Sequence, residues 1–334
     1  MISQNEMKTS RRAFIGTTAS AALAISTESM RAADSDKALI AITLDLEMSR
    51  NFPTRDVMHW DYEKGNLDSQ AKNYSLAAAR KVREYGGKLH FFTVGRVFEQ
   101  EDISWLDKIA KMGHPIGNHT YDHVNVTAKK TSELQFRFQR SPWLLRGMNV
   151  PEAIRDNIEI TDKAMQSRLG IQSNGFRTPG GFNGGLKQEP EVRKILKELG
   201  YQWVSSLYPA HPYTQPMEKP SNAIIDGILA AIPASQPFRY DDGLIEIPMS
   251  PISDIGAFRT GQWRLEWFME MIEKCVESAI ENRQVYDFLA HPSCLGVVDP
   301  EMKTISRICE IVRKASNRAA IVGLDAIAAR LNRG

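Results

Sequence analysis

Ala38-Leu39-Ile40-Ala41-Ile42-Thr43-Leu44-Asp45-Leu46-Glu47 is the stretch from which the fold is read. Ala38–Leu44 is a short, β-rich apolar run, and two acids follow at its end. Side chains alternate along a strand, so Asp45 and Glu47 point to one side and Leu46 to the other. One carboxylate on that side can bind a metal while the other acts as a base. A solvated strand end carries acids at the same spacing without any function.

Outward from this run the chain alternates. Helical spacing over Tyr74–Tyr85 stops at Gly86-Gly87, and Leu89–Val94 is again strand-like up to Gly95. The rhythm continues with a helix over Ile103–Met112, a short strand over His114–Gly117, a helix near Glu152–Leu169 and a strand near Gly175–Thr178. Next come helix Glu191–Leu199, strand Tyr201–Ser205, strand Leu244–Ile247, helix Trp263–Glu281 and strand Val285–Ala290. Helix Pro300–Ala315, strand Ala320–Val322 and helix Asp325–Leu331 close the series. Strands alternating with helices predict a parallel sheet with right-handed crossovers. About eight strands is close to the count of a barrel. Two long stretches interrupt the rhythm: Met48–Ser69, with His59, Trp60 and Tyr62, and Leu207–Asp242, with six prolines. Both leave strand C-termini, where α/β barrels place their active sites.

Composition narrows the function. Apolar residues make up 42% of the 334 and supply a substantial core, while 42 basic residues nearly balance 40 acidic ones. That balance carries no electrostatic footprint for nucleic acid. The first segment reads as an address. Arg11-Arg12 precede Phe14–Ile25, a weakly apolar stretch too short for a stable membrane anchor. Residues 1–33 therefore read as a twin-arginine-type signal, implying the twin-arginine export machinery as a partner and a periplasmic or extracellular destination. Residues 34–334 read as one domain. Cys275, Cys294 and Cys309 lack paired spacing and are expected to be free and buried rather than zinc ligands.

Four local patterns carry chemistry. Asn118-His119-Thr120-Tyr121-Asp122-His123 places two histidines at i and i+4, so on a helical turn both imidazoles reach one metal ion. Asp45 and Glu47 are the second pattern. Phe176-Arg177-Thr178-Pro179-Gly180-Gly181 ends a strand in an arginine whose rigid fork can orient a carboxylate. Phe288-Leu289-Ala290-His291-Pro292 sets a histidine at a strand end as a general acid or base. Each pattern alone also has a structural reading: surface histidines, ordinary acids, a turn, a core-edge histidine. Ser205-Ser206 lacks the turn of a serine nucleophile.

Taken in order along strand ends, the four patterns resemble the NodB-type polysaccharide deacetylases of carbohydrate esterase family four. The resemblance spans about Ile40 to His291, and His119-Thr120-x-x-His123 preceded by Gly117-Asn118 is its most specific part. It implies a distorted barrel of seven or eight βα units in a single domain. It further implies that Asp45 is the base, that His119 and His123 bind a divalent metal, most simply Zn²⁺, that Arg177 holds the base and that His291 is the acid. The family carries two adjacent aspartates in its first motif. Leu46 stands at the second position here, which leaves Glu47 as third ligand, or two histidines and water without it. A backbone N–H near Tyr208 would stabilise the oxyanion, with Trp60 and Pro179 beside the substrate. The activity implied is removal of acetyl groups from an N-acetylated glycan. Hydrolysis of another non-peptide carbon–nitrogen bond, such as a cyclic ureide or imide, and O-acetyl ester hydrolysis are rivals. A non-catalytic glycan-binding relative is a third, which the joint presence of Asp45, Arg177 and His291 argues against.

Overall fold

Strand β1 (Ala38–Leu46) is buried along its whole length, and its alternation divides the molecule into two sides. Ala38, Ile40, Ile42, Leu44 and Leu46 join the largest apolar cluster, among the helices. Leu39 and Ala41 face the opposite way and pack with Phe92, Trp203, Ile245, Ile247 and Val285. The structure is a computed structural model describing residues 37–48 and 63–333. The leader read over residues 1–33, with His59, Trp60 and Tyr62, lies outside the described residues.

The remaining strands are β2 (His90–Thr93), β3 (Ile116–Asn118), β4 (Gly175–Phe182), β5 (Trp203–Leu207), β6 (Phe238–Arg239), β7 (Ile245–Glu246), β8 (Val285–Ala290) and β9 (Ala319–Ile321). The main helices are α1 (Ser69–Glu84), α2 (Ser104–Lys111), α3 (Val150–Leu169), α4 (Pro190–Glu198), α5 (Asn222–Ala231), α6 (Leu265–Glu281), α7 (Pro292–Val298), α8 (Lys303–Lys314) and α9 (Leu324–Leu331). The sheet runs β6-β7-β5-β4-β3-β2-β1-β8, with β9 added alongside the start of β1. Every pairing is parallel except β6 with β7. Residues from β1, β2, β5, β7 and β8 meet in one inner cluster, closed below by Leu324 and Ile327 of α9. The two ends of the strand path are thus curled towards each other in a distorted barrel. Among the described residues no ladder joins β7 to β8. The side-chain amide of Gln236 bridges that seam, donating to the Val285 carbonyl (3.0 Å) and accepting from its N–H (2.8 Å).

The alternation read from sequence is present, with element ends shifted by a few residues. Residues Leu207–Asp242 are more regular than their prolines suggest. Between Pro220 and Pro233 no proline intervenes, and α5 occupies that window. Helix α7, directly after His291, and a π-helical turn over Ile255–Thr260 were also not legible. All three cysteines are free and buried. Among the described residues no helix is long and apolar enough to cross a membrane.

Candidate active site

The inner face of the barrel turns polar towards the C-terminal ends of the strands. Thr43 follows Ala41 on β1, and its hydroxyl donates to Asp287 Oδ1 of β8 (2.8 Å). Arg177, from β4, is fully buried over the Phe92 ring and donates through Nη2 to Asp287 Oδ2 (2.6 Å) and to the Thr43 hydroxyl (3.2 Å). Its other terminal nitrogen lies 3.6 Å from Asp45 Oδ1. The arginine expected to hold Asp45 is therefore shared, with its shortest contact to Asp287. Burial pushes the Asp287 carboxyl up to about 6, although Arg177 and Thr43 pull the other way.

Above Asp45 the chain brings Glu47, His119 and His123 together. Their ligating atoms lie within 4.8 Å of one another. Glu47 Oε1 is 3.3 Å from His119 Nε2 and 2.9 Å from His123 Nε2. The i, i+4 spacing does not achieve this through a helical turn. Residues 119–123 form a loop in which Thr120 and His123 both adopt left-handed backbone conformations, each with φ of 59°. A β-branched residue in that region is strained. It is held by Thr120 N–H donating to Asn118 Oδ1 (2.8 Å) and by Val124 N–H donating to the Thr120 hydroxyl (3.0 Å). Asn118 is itself anchored by donating to the Ile158 carbonyl and the Asp162 carboxylate (2.9 Å each).

The donor set fits a divalent cation. His119 Nδ1 donates to the Arg177 carbonyl (2.9 Å), so its Nε2 presents a lone pair to Glu47 Oε1. Burial pushes His123 down to about 4 against the pull of Glu47, leaving a neutral imidazole near pH 7. Burial alone would raise Glu47, but His123 and Lys64 outweigh it and hold the carboxyl well below its ordinary value. Two imidazole nitrogens and one carboxylate oxygen converge as they do in zinc sites with an open coordination position. Lys64, 2% exposed, pairs with the other oxygen of Glu47.

His291 ends β8 and faces the same cluster, its Nε2 3.5 Å from Glu47 Oε1. Asp254, fully buried just before the π-helical turn, accepts from His291 N–H (2.7 Å) and pairs with its Nδ1 (2.9 Å). Burial would lower the imidazole, yet Asp254 and Glu47 lift it well above its ordinary value. A cavity of about 390 Å³ opens over these groups. Asp45, Glu47, Lys64, His123 and His291 line it, with Tyr208, Tyr213 and Arg259 on its wall.

Two substrate-side expectations are corrected. The Tyr208 N–H is spent on the Phe182 carbonyl (3.0 Å), and those of Ser206 and Leu207 on Glu246 (2.7 and 2.9 Å), so none is left to receive an oxyanion. Tyr208 still faces the cavity through its side chain. Pro179 is buried and does not line the cavity. It sits in a bulge where the β4–β5 register breaks between Arg177 and Phe182, and this bulge turns Gly180 and Gly181 into the cavity wall. Trp60 lies outside the described residues.

Of the histidines gathered between His90 and His123, two are structural. His90 Nδ1 accepts from Leu324 N–H (3.2 Å) and His114 Nδ1 from Leu89 N–H (3.0 Å). Sequence reasoning missed Asp287, Asp254 and Lys64. Asp287 had a signal, an acid inside an apolar strand on the same face as His291. Asp254 and Lys64 reach the site from irregular segments, where no periodicity points inward.

Comparison with known proteins bears on this geometry. Residues 61–204 match the family model "Polysaccharide deacetylase". Asp45, Glu47 and His291 fall outside that span and are brought to it by the fold. A search of curated proteins by sequence finds no match. Among solved structures, a Mycobacterium smegmatis protein assigned as a polysaccharide deacetylase is similar at a TM-score of 0.60 and 16% identity, over 89% of this chain and 91% of that one. A Pseudomonas aeruginosa PAO1 protein with the same assignment gives 0.60 and 12%, over 90% and 93%. The PuuE allantoinase gives 0.56 and 11%, over 87% and 89%. At these identities the likeness is one of fold: the chain has the NodB-type deacetylase fold.

Proposed function

Starting from a polysaccharide deacetylase domain set in the NodB-type fold, we propose that this chain is a metal-dependent hydrolase that removes acetyl groups from an N-acetylated glycan. The observation that carries the reading is the convergence of Asp45, Glu47 and His291, within 4.8 Å of one another, beside two imidazoles on one cavity. His119, His123 and Glu47 would hold the cation, Zn²⁺ being the simplest choice for this ligand set. When bound, it supplies Lewis acidity, polarising the acyl carbonyl and acidifying water.

The chain's own residues divide the remaining work. Asp45 takes the proton of the attacking water, with Arg177 at its flank to hold the carboxylate in place. His291, charged and oriented by Asp254, donates a proton to the departing amine nitrogen as the carbon–nitrogen bond breaks. The products are acetate and a free amine. The bulge at Gly180-Gly181 brings main-chain groups to the wall where the acyl oxygen would sit. The leader read over residues 1–33 would deliver the domain through the twin-arginine route to the periplasm or beyond, which favours a wall or extracellular glycan.

The test is metal analysis of the purified chain together with acetate release from chitooligosaccharides, peptidoglycan and acetylxylan, with cyclic ureides as a counter-screen. Asp45→Asn is expected to lower kcat by about 10²-fold or more with metal content unchanged. Glu47→Ala is expected to lose metal, with partial recovery in excess Zn²⁺. Unchanged Zn²⁺ affinity in Glu47→Ala would remove Glu47 from the ligand set. Turnover of ureides alone would replace the glycan reading.

A further inference from the structure

The cavity contains a cation that the proposed reaction has not used. Lys64 is 2% exposed, lines the cavity and pairs through Nζ with Glu47 Oε2, while Oε1 of the same carboxylate faces His119 and His123. The two oxygens of one side chain thus have separate partners.

Local structure fixes this placement. Gly65 N–H donates to the Glu47 carbonyl (2.6 Å), tying the backbone beside Lys64 to the end of β1. Gln100 Nε2 donates to the Gly65 carbonyl (3.1 Å) and the Leu67 carbonyl (3.3 Å) from the other side. Gly65 has φ of 85°, and a Cβ there would stand 2.2 Å from the Arg96 Cβ, so the turn accepts only glycine. Burying an ammonium is costly, and an apolar side chain would fill the same volume without that cost. A lysine held here by a turn that tolerates one residue type points to a role in the site.

We propose that Lys64 is a positioning residue that reserves one oxygen of Glu47, so that this carboxylate offers a single oxygen to the cation held with His119 and His123. The inference rests on the metal-binding reading of that triad. Two consequences follow from elementary electrostatics. A carboxylate shared with an ammonium donates less charge to a metal, and two cations on one carboxylate repel. Lys64 therefore keeps the metal less tightly bound and its coordination more open than the three ligands alone would, which favours access for water and the acyl oxygen.

The experiment uses the full chain stripped with chelator and desalted. Zn²⁺ affinity is measured by competition with a chromophoric chelator, and the visible spectrum is recorded after loading with Co²⁺. Lys64→Met is expected to bind Zn²⁺ about ten-fold or more tightly than the parent, with a weaker Co²⁺ visible band as the second oxygen of Glu47 raises the coordination number. Lys64→Gln, which keeps a donor without the charge, is expected to tighten binding likewise and carries the test if the Met variant does not fold. Lys64→Arg, which keeps the charge, is expected to stay near the parent. Unchanged or weaker affinity with an unchanged Co²⁺ spectrum in folded Met and Gln variants would overturn the role of Lys64 while leaving the metal site intact. A parent chain that binds neither ion would overturn the metal reading itself.

Discussion

Leu46→Asp tests the reasoning most directly, because the resemblance to the NodB-type deacetylases invites that change. It would restore the second of two adjacent aspartates. The structure says the new carboxylate would enter the wrong compartment. Leu46 is fully buried in the cluster formed with α1, α6 and α8, on the side of β1 opposite Asp45 and Glu47. Deleting a leucine from such a site costs about 2–5 kcal/mol. A carboxylate placed there without a partner adds several kcal/mol more, unless it takes up a proton. The sum, on the order of 5–10 kcal/mol, is comparable with the whole stability of an ordinary domain. Leu46→Ala, carrying only the first cost, is expected to melt about 4–10 °C below the parent, at about 2 °C per kcal/mol for a chain of this size. Leu46→Asp is expected to be insoluble or largely unfolded at neutral pH. The assay is thermal unfolding by circular dichroism beside Zn²⁺ titration of whatever remains folded. A Leu46→Asp protein that melts with the parent and binds Zn²⁺ more tightly would refute the assignment of sides on β1.

Glu246 is fully buried and accepts from Ser206 N–H, Leu207 N–H and the hydroxyls of Ser206 and Tyr240 at 2.6–2.9 Å. Glu246→Gln sets a donor against donors and is expected to lower stability by about 3 kcal/mol, or about 6 °C in melting temperature, and an unchanged melt would refute it. Asp287 has a carboxyl raised to about 6 in the folded chain, against an ordinary value of 3.8. A raised carboxyl contributes stability that is present below the unfolded value and lost as pH rises through the folded one. The parent should therefore lose about 2 kcal/mol relative to Asp287→Asn between pH 4 and pH 7, read from paired denaturant titrations, and a constant difference would count against it. Replacing Arg11 and Arg12 by Lys should strand the precursor in the cytoplasm, as seen by fractionation, because the twin-arginine receptor reads that pair. Normal secretion would assign the leader another route or none.

How much of this was legible beforehand depended on whether the signal was local. The apolar period of two along Ala38–Leu46 and the helix–strand alternation after it are written in neighbouring residues. They determined the class of fold, the side of β1 on which Asp45 and Glu47 lie, and the strand ends at which Arg177, His119 and His291 would appear. The histidine pair was legible as a pair but not in its mechanism. Spacing suggested a helical turn, whereas the imidazoles meet through left-handed Thr120 and His123, a strained loop that pays off only because Asn118 and Val124 hold it from outside. Partnerships across the barrel had no local signature. Asp287 meets Arg177 across 110 positions and Asp254 meets His291 across 37, and which carboxylate wins a buried charge depends on where curled strands and irregular segments bring it. Main-chain commitments were equally hidden, since only the ladder decides that the Tyr208 N–H goes to Phe182. Sequence by itself determined which polar residues stand at the strand ends and which face of β1 they occupy, because alternation is a property of the local backbone. Tertiary structure alone decided who pairs with whom, because buried charges and N–H groups must be satisfied by whatever the closed fold places against them.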